Sequence, residues 1–417
     1  MPSAHALGAI LATLFERPRL RRRTLDDRPL PELCDALMAE KVETSSLELA
    51  AALFARYAEL PHAEKRAFFA FINDHLDVDA AEVARAAEAY GRDRTPEAFA
   101  ALMRAAEPRR QELFRRLNQP PGATAELVKM RAELLSMLAE APELARTDHD
   151  LRHLLRSWFN RGFLVLRRIT WDSPAAILEK IIAYEAVHEI ASWDDLRARL
   201  QPEDRRLFAF FHPAMPGEPL IFVEVALSRG VPGSIAEVLA PGREPIDPAD
   251  ADTAVFYSIS NCQKGLAGVS FGNSLIKQVV RDLAAELPGL QSFVTLSPIP
   301  GLAAWLTEAG LADAAGDPLR LKRLAAHYLL AEKTPDGAPR DPVARFHLGN
   351  GALVHAIHLD ADPSPKGRAQ SFGVMVNYLY DLDRIQDNLR DYEATGRVAA
   401  APQVRSLARQ AQAETAA

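Results

Sequence analysis

The spacing of apolar residues changes near residue 170, and this change constrains the fold of the 417-residue chain more than any other feature. Before it, apolar side chains recur every three or four residues, which is the spacing of one face of an α-helix. One such series comprises Leu127, Met130, Leu134, Leu135 and Leu138. Prolines interrupt these patterns and separate successive helices. We therefore predict an all-helical bundle domain over residues 1–170.

After residue 170, apolar and other residues alternate in 220–227 and in 253–260, which predicts two β-strands. A strongly amphipathic helix follows. Its apolar face consists of Leu275, Ile276, Val279, Val280, Leu283 and Leu287. Shorter strands are predicted at 293–296, 353–357 and 372–376, and a charged, alanine-rich helix that frays toward the end is predicted beyond residue 382. The whole chain is predicted to be α+β, with a mixed domain over residues 171–417.

Composition excludes several classes of protein. The formal net charge of −7 argues against a dedicated nucleic-acid binder, and the two cysteines argue against a disulfide scaffold. No stretch of about 18 apolar residues lacks charge, so we predict no membrane span. An apolar segment, 7–15, precedes the basic run 17–23, which is the reverse of the order in a secretory signal. We expect a cytoplasmic protein.

The segment NCQKGLAGVSFGN (261–273) links a predicted strand to a helix. Its glycines allow backbone amides to approach a ligand closely, and the following helix presents free amides at its start. Lys264 would add positive charge. The spacing matches neither a Walker A loop nor a Rossmann fingerprint, but it is similar to the acyl-CoA loop of acetyltransferase-like (GNAT) folds. A glycine-rich turn without any ligand is the alternative, and the loop alone does not decide between them.

The same loop contains GVSFG (268–272), which has the Gly-x-Ser-x-Gly pattern of the nucleophile elbow in α/β-hydrolases. His347 follows in the correct order, so a hydrolase that uses Ser270 is an alternative. An elbow serine should directly follow a buried strand, whereas the predicted strand ends near residue 260. The upstream helical bundle also lacks the βα units of that fold.

Two further residues are candidates for chemistry. Ser297 follows a short strand and precedes two prolines, so it lies where open α/β sheets usually bind ligands. His347 lies before a glycine-containing turn, and histidine is the usual proton donor near neutral pH. A turn serine and a packed core histidine are the structural alternatives.

Other polar residues are candidates for ligand or metal binding. Asn377 and Tyr380 end a predicted strand and would either bind a ligand oxygen or close the core. The histidine pairs 149/153 and 355/358 lack a third ligand. We predict no metal site.

Seven strings together resemble the malonyl-CoA decarboxylase family. They are AYEAVH (183–188), HPAMPGEPL (212–220), FYSIS (256–260), QKGLAG (263–268), LSPIPG (296–301), PVARFHLGNGA (342–352) and MVNYLY (375–380). They occur in order across residues 180–380, so the resemblance covers most of the second domain.

This resemblance implies a helical domain used for oligomer contacts, a GNAT-like catalytic domain and a homo-oligomer, either a dimer or a tetramer. It implies Ser297 and His347 as the catalytic pair, with Tyr380 lining the site as a third catalytic candidate. Asn377, from its own position at the end of a strand, is a further candidate for substrate binding. Malonyl-CoA would bind Lys264 and the loop residues Ala267, Gly268, Val269, Ser270, Phe271, Gly272 and Asn273. The family has an acidic residue where this chain has Ser270.

The expected reaction converts malonyl-CoA to acetyl-CoA and carbon dioxide through a thioester enolate. The thioester carbonyl accepts the electron pair, so no cofactor is required. We expect Ser297 to hold the carboxylate and His347 to protonate the enolate. Two other function classes stay open: a GNAT-type acyl-CoA transferase and a non-catalytic acyl-CoA-binding protein.

Overall fold

The computed structural model describes residues 26–269 and 272–415, and gives the backbone alone for helix residues 272–274 and 413–415. The sequence predictions for residues 7–23 and for Ser270 and Phe271 lie outside the described residues. Two compact units emerge. The helical unit comprises Met1–Val165 with Phe211–Glu218 and Gln263–Ser270, and the sheet unit comprises Leu166–Phe210, Pro219–Cys262 and Phe271–Ala417. The hydrophobic pattern does not predict that two later segments group with the helices.

The helical unit is built from helices that mostly bury an aliphatic or aromatic face. These helices are α1 (Leu30–Ala39), α2 (Glu43–Glu59), α3 (His62–His75), α4 (Ala80–Arg92), α5 (Pro96–Ala105), α6 (Arg109–Leu117), α7 (Ala123–Met137) and α8 (Ala145–Trp158). Side chains at the helix starts accept hydrogen bonds from otherwise unpaired amides, as Asp79 does for α4 and Thr95 for α5. Leu53, Phe69 and Leu127 are fully buried, although α4 and α5 contain no buried residue.

The sheet unit is organised around a mixed β-sheet. Its strands are β1 (Val165–Ile169), β2 (Arg205–His212), β3 (Met215–Ser228), β4 (Thr253–Asn261), β5 (Ser292–Thr295), β6 (Ser297–Pro298), β7 (Leu353–His358) and β8 (Met375–Leu379). Their order is β1-β2-β3-β4-β5-β8-β6, with β7 also paired to β8. β3 and β4 are antiparallel, β4 and β5 are parallel, and β8 is antiparallel to its partners.

Helices connect and cover these strands. They are α9 (Ala175–Tyr184), α10 (Trp193–Leu200), α11 (Ile235–Val238), α12 (Gly272–Glu286), α13 (Leu302–Glu308), α14 (Pro318–Leu330), α15 (Pro342–Leu348), α16 (Pro365–Ser371), α17 (Ile385–Thr395) and α18 (Pro402–Thr415). The amphipathic helix predicted after the loop is α12, and its residues Leu275, Ile276 and Val279 are fully buried. It makes the crossover between the parallel strands β4 and β5. The predicted α+β fold, helical first and mixed-sheet second, is confirmed.

One predicted strand needs correction, one strand was missed, and the predicted tail is described more fully by the structure. The strand predicted at 372–376 lies at Met375–Leu379, because Phe372 ends α16 in a left-handed conformation with φ of 55°. Strand β2 was not predicted because its residues are buried from Arg205 to Phe211, which removes the alternation that marks a half-buried strand. The helical tail predicted beyond residue 382 consists of α17 and α18; Val404, Ala408 and Ala411 of α18 are buried, and α18 packs against α14.

Within the described ranges, no helix combines the length and the apolar character needed to cross a membrane.

Candidate active site

Ser297 is positioned by a break in the sheet. Strand β5 ends at Thr295, the amide of Leu296 still donates to the carbonyl of Phe256 on β4, and Ser297 then pairs with Val376 of β8. Residues two apart on an extended chain face the same side. Accordingly, the Ser297 hydroxyl donates to Thr295 Oγ1 at 2.9 Å. Ser297 is only 6% exposed, so its hydroxyl is held inside the protein by a short local contact.

His347 lies in the last turn of the short helix α15, and Asp341 fixes the start of that helix. The Asp341 carboxylate accepts hydrogen bonds from the amides of Val343 and Ala344, both at 2.9 Å, and from the amide of Gly301 at 3.4 Å. Burial raises the pKa of Asp341. This single side chain therefore connects the histidine helix to the turn that follows Ser297.

A hydrogen-bonded chain joins the candidate catalytic residues. Ser297 Oγ lies 3.2 Å from His347 Nε2, and His347 Nδ1 lies 2.8 Å from the hydroxyl of Tyr380. Because the Ser297 proton is directed to Thr295, a hydrogen bond with His347 requires Nε2 to be the donor. In a neutral imidazole Nδ1 is then the acceptor, and Tyr380 donates to it. The structure thus brings together Ser297, His347 and Tyr380.

The histidine is held in its neutral form. Burial lowers the pKa of His347 to about 3, and the ring stacks on Tyr378 with centroids 4.5 Å apart. Desolvation disfavours the charged form of any buried base, and no ion pair compensates here. Burial likewise raises the pKa of Tyr380, which keeps the phenol protonated. At neutral pH the hydrogen-bonded residues Ser297, His347 and Tyr380 are therefore all uncharged, although each has a proton that it can donate.

Ser297 and His347 open onto a cavity of about 370 Å³ in the sheet unit. It is lined by Val187, Phe256, Tyr257, Ser258, Ile259, Asn261, Ser297, Pro298, Pro342, Val343, Phe346 and His347. None of these lining residues is Lys, Arg, Asp or Glu. The cavity is therefore suited to a small, partly apolar group that is held by hydroxyl and imidazole donors.

Other predicted ligand-binding residues lie elsewhere. The Asn377 amide donates to the carbonyl of Thr295 at 2.8 Å and contacts His358 Nε2, so it is engaged outside the residues that line the cavity. Lys264 begins a short 3₁₀ turn, Lys264–Leu266, in the helical unit. Lys264, Ala267 and Gly268 are exposed and Val269 is buried.

The remaining loop residues have only partial description. Ser270 and Phe271 lie outside the described residues, and the backbone of Gly272 and Asn273 begins α12. Strand β4 ends at Asn261, well before Ser270. A nucleophile elbow places its serine directly after a strand, so this connection is not an elbow.

Two residues that contribute to the site were not singled out in the sequence. Thr295 lies two residues before Ser297 on the same strand face, and Asp341 precedes a proline as helix caps often do. Strand alternation and capping signals point to both residues, but only the fold shows that they support one site.

A search of residues 26–269 and 272–415 finds no group of three or more His, Cys, Asp or Glu side chains arranged to hold a metal ion.

The fold and the site define a class: an α+β enzyme in which a neutral serine–histidine–tyrosine chain borders a small, uncharged cavity. Two family models match the sequence. The model of the malonyl-CoA decarboxylase N-terminal domain matches residues 76–159, and that of the C-terminal domain matches residues 162–317 and 311–417. The chain belongs to the malonyl-CoA decarboxylase family, a family of carboxy-lyases.

Individual relatives agree with this assignment. The mitochondrial malonyl-CoA decarboxylase of Anser anser anser is 37% identical over 357 residues, which are 73% of this chain and 70% of the relative. The crystal structure of malonyl-CoA decarboxylase from Rhodopseudomonas palustris is 50% identical, with a TM-score of 0.85 over 90% of this chain and 98% of that one. The Agrobacterium vitis structure is 48% identical, with a TM-score of 0.86 over 91% and 99%.

Proposed function

We propose that this protein decarboxylates malonyl-CoA to acetyl-CoA and carbon dioxide, with the malonyl group in the cavity beside Ser297 and His347. The observation that carries the proposal is the buried Ser297–His347 hydrogen bond at the edge of an uncharged cavity, in a member of this family. The cavity volume suits the acyl end of the substrate rather than a whole CoA thioester.

The uncharged lining favours loss of carbon dioxide. A malonyl carboxylate in this cavity would be held by the Ser297 hydroxyl, whose proton would turn from Thr295 to the carboxylate, instead of by a cationic side chain. As the carbon–carbon bond breaks, its electron pair moves into the thioester carbonyl and the localised charge of the carboxylate disperses. A fixed positive charge would stabilise the carboxylate of the bound substrate more than the transition state, in which this charge is dispersed. A cavity without such a charge therefore keeps the barrier to decarboxylation lower.

The neutral imidazole then supplies the proton. The enolate carbon takes the proton from His347 Nε2, which forms the methyl group of acetyl-CoA. The Tyr380 hydroxyl, which faces Nδ1 at 2.8 Å, is placed to pass its proton to the ring so that the imidazole stays neutral. A solvent proton that reaches His347 Nε2 through the cavity, with return of the Nδ1 proton to Tyr380, restores the starting tautomer, so each turnover consumes one proton.

We propose that no metal or redox cofactor takes part, because the thioester carbonyl itself accepts the electron pair. The CoA moiety is proposed to bind the loop from Lys264 to Asn273, and the protein is proposed to be a cytoplasmic homo-oligomer.

The test is to incubate EDTA-treated protein with malonyl-CoA and to identify the products by mass spectrometry. Acetyl-CoA and carbon dioxide in equal amounts, formed at the same rate with and without EDTA, are expected. Free CoA with malonate would instead support a hydrolase that uses Ser270. Malonyl or acetyl transfer to an added amine would support a transferase, and tight binding without turnover would leave an acyl-CoA-binding protein.

A further inference from the structure

A buried arginine of the helical unit holds the glycine-rich loop. Arg131 on α7 is 1% exposed, and its Nη1 donates to the carbonyls of Gly265 and Ala267 at 2.7 and 2.9 Å. Its Nε donates to Asp148 on α8 at 2.8 Å. The guanidinium is therefore fixed on one side by a carboxylate and fixes, on the other side, two peptide groups of the loop.

The loop also lies directly on the backbone of α7. A Cβ atom at Gly265 would come within 1.8 Å of the carbonyl oxygen of Val128, so only glycine fits at this position. Farther along the loop, the carbonyl of Gly268 accepts a hydrogen bond from Arg156 of α8 at 3.1 Å, and Gly268 has a φ of +74°. Three loop carbonyls thus point toward two arginines of the same helical unit.

This arrangement has a consequence for anion binding. Carbonyl oxygens repel a phosphate, whereas backbone N–H groups attract one. In a trans peptide the C=O and the N–H point in opposite directions. Because Arg131 holds the carbonyl of Ala267, the N–H of Gly268 faces away from Arg131, on the side where Ala267 and Gly268 are exposed. Arg131 itself is too deeply buried to touch a ligand.

We infer that Arg131, oriented by Asp148, is a positioning residue for CoA binding: it holds the loop in the conformation that presents the amide of Gly268 to the pyrophosphate of a CoA thioester, while the amides of Leu266, Ala267 and Val269 donate within the loop. This inference rests on the proposed function, since it takes the loop as the CoA site. It gives the helical unit a direct part in substrate affinity, separate from any role in oligomer contacts.

A second buried arginine of the helical unit, Arg110, serves as the control for the loss of a buried ion pair that does not contact the loop. Arg110 on α6 is 3% exposed, pairs with Asp77 and Asp150, and donates to the carbonyl of Asn73. It resembles Arg131 in burial, charge and partner type, but the described partners of Arg110 lie in α3, in α8 and in the connection between α3 and α4, and not in the glycine-rich loop. Arg110→Met should destabilise the unit much as Arg131→Met does, without altering the loop.

The experiment compares Arg131→Met, Arg131→Lys and Arg110→Met with the unaltered protein. Steady-state kinetics are measured with malonyl-CoA and with malonyl-pantetheine, which lacks the pyrophosphate and the nucleotide, and CoA binding is measured by calorimetry. For Arg131→Met we expect KM for malonyl-CoA and Kd for CoA to rise about tenfold or more, with kcat changed by less than about twofold. Arg131→Lys should recover part of the affinity.

Malonyl-pantetheine separates the two explanations. Its kcat/KM should be the same in Arg131→Met as in the unaltered protein, and Arg110→Met should leave every kinetic constant unchanged despite a lower Tm. An equal loss with both substrates, or an unchanged Kd for CoA, would overturn the inference. If Arg131→Met does not fold, Gly265→Ala provides the same test, because the added methyl must displace the loop from α7.

The outcomes also separate this inference from the proposed function. If the unaltered protein binds CoA but forms no acetyl-CoA, the decarboxylase proposal fails, and the calorimetric comparison still tests Arg131. If the unaltered protein does not bind CoA, the loop is not a CoA site and the inference fails.

Discussion

At the scale of single residues, the site depends on an imidazole that is kept neutral. A charged histidine beside Ser297 would stabilise the malonyl carboxylate by ion pairing, which opposes decarboxylation because the same charge is lost from the carboxylate in the transition state. Burial avoids this by keeping the imidazole neutral, and the contacts with Ser297 and Tyr380 engage both ring nitrogens. The same contacts explain why Tyr380, although outside the cavity lining, belongs to the site.

Replacement of His347 by glutamine should remove the proton donor while keeping a polar side chain of similar size. We expect kcat to fall by about 10²- to 10⁴-fold, the usual contribution of general-acid catalysis, with little change in the KM for malonyl-CoA. His355→Gln, on β7 and outside the cavity lining, is the matched control and should retain activity. Near-normal turnover by His347→Gln in stopped-flow assays would assign the proton donor elsewhere.

Replacement of Ser297 by alanine tests the proposed contact with the carboxylate. Loss of a hydrogen bond to a charged group costs about 1.5–3 kcal/mol, so kcat/KM should fall by about 10- to 100-fold. Ser292→Ala, at the start of β5, is the control. The two variants should show similar thermal stability, since neither removes a large side chain. If Ser297→Ala loses stability but not activity, the hydroxyl has only a structural role through Thr295.

The depressed pKa of His347 also determines the pH dependence of the reaction. With a pKa of about 3, the ring stays neutral from about pH 5 to pH 8, whereas an ordinary histidine would titrate in that range. We therefore expect kcat for malonyl-CoA to show no inflection from this residue across that range. An inflection near pH 6.5 that disappears in His347→Gln would show that the imidazole titrates normally.

At the scale of secondary-structure elements, two short pieces align the site. The two-residue strand β6 turns Ser297 from β5 toward β8, and the seven-residue helix α15 presents His347. A helix of this length gains little stability by itself, so its capping residue matters more than in a long helix. Asp341 caps α15 and also bonds the turn after Ser297, and it thereby sets the spacing between the two catalytic candidates.

Asp341→Ala should therefore lower both stability and activity. Loss of the cap costs about 1 kcal/mol, and loss of the bond to Gly301 loosens the approach of Ser297 to His347. Asp317 caps α14 through the amides of Leu319 and Arg320, so Asp317→Ala should lower Tm by a similar amount and leave kcat unchanged. If Asp341→Ala and Asp317→Ala have the same kcat, the cap formed by Asp341 contributes to stability but not to catalysis. Asp341→Asn keeps an acceptor oxygen, so it should lower Tm and kcat less than Asp341→Ala does.

At the scale of the whole molecule, the sequence predicts the order of the two domains because hydrophobic period is a local property. Strands in which apolar and other residues alternate are predicted correctly from the sequence. Strand β2 is not predicted, because it is buried along its length and lacks this alternation. The sequence does not predict that residues 263–270 group with the helices, because that grouping depends on contacts such as Arg131 with Gly265, which are far apart in sequence.

The candidate site shows the same limit. Ser297, His347 and Tyr380 were identified by resemblance to family strings, and the residues alone left a capping serine and a packed histidine as alternatives. The contacts of His347 with Ser297 and Tyr380, and the contribution of Thr295, follow from interatomic distances that no sequence pattern contains. Asn377 is a candidate because it ends a predicted strand with an amide that could bind a ligand oxygen, yet its amide is bonded to the backbone of Thr295 and to His358.

The neutral histidine should also be visible in the stability of the whole protein. In the unfolded chain the imidazole has an ordinary pKa near 6.5, whereas burial lowers the pKa of folded His347 to about 3. Above about pH 6.5 neither state binds the proton, so the contribution to stability is fully present. As the pH falls from about 6.5 toward 3, only the unfolded state gains a proton, and the free energy of unfolding decreases by up to about 1.4 kcal/mol per pH unit.

Comparison with His347→Gln isolates this contribution, because every other titrating group, including His188 with its pKa lowered to about 4, is common to both proteins. The free energy of unfolding is measured by urea titration with tryptophan fluorescence at about pH 5, 6, 7 and 8. The difference between the unaltered protein and the variant should be constant above about pH 7 and should shrink steadily below about pH 6. A difference that stays constant down to pH 5 would mean that folded His347 takes up a proton as readily as the unfolded chain does, and the proposal of a neutral proton donor would have to be abandoned.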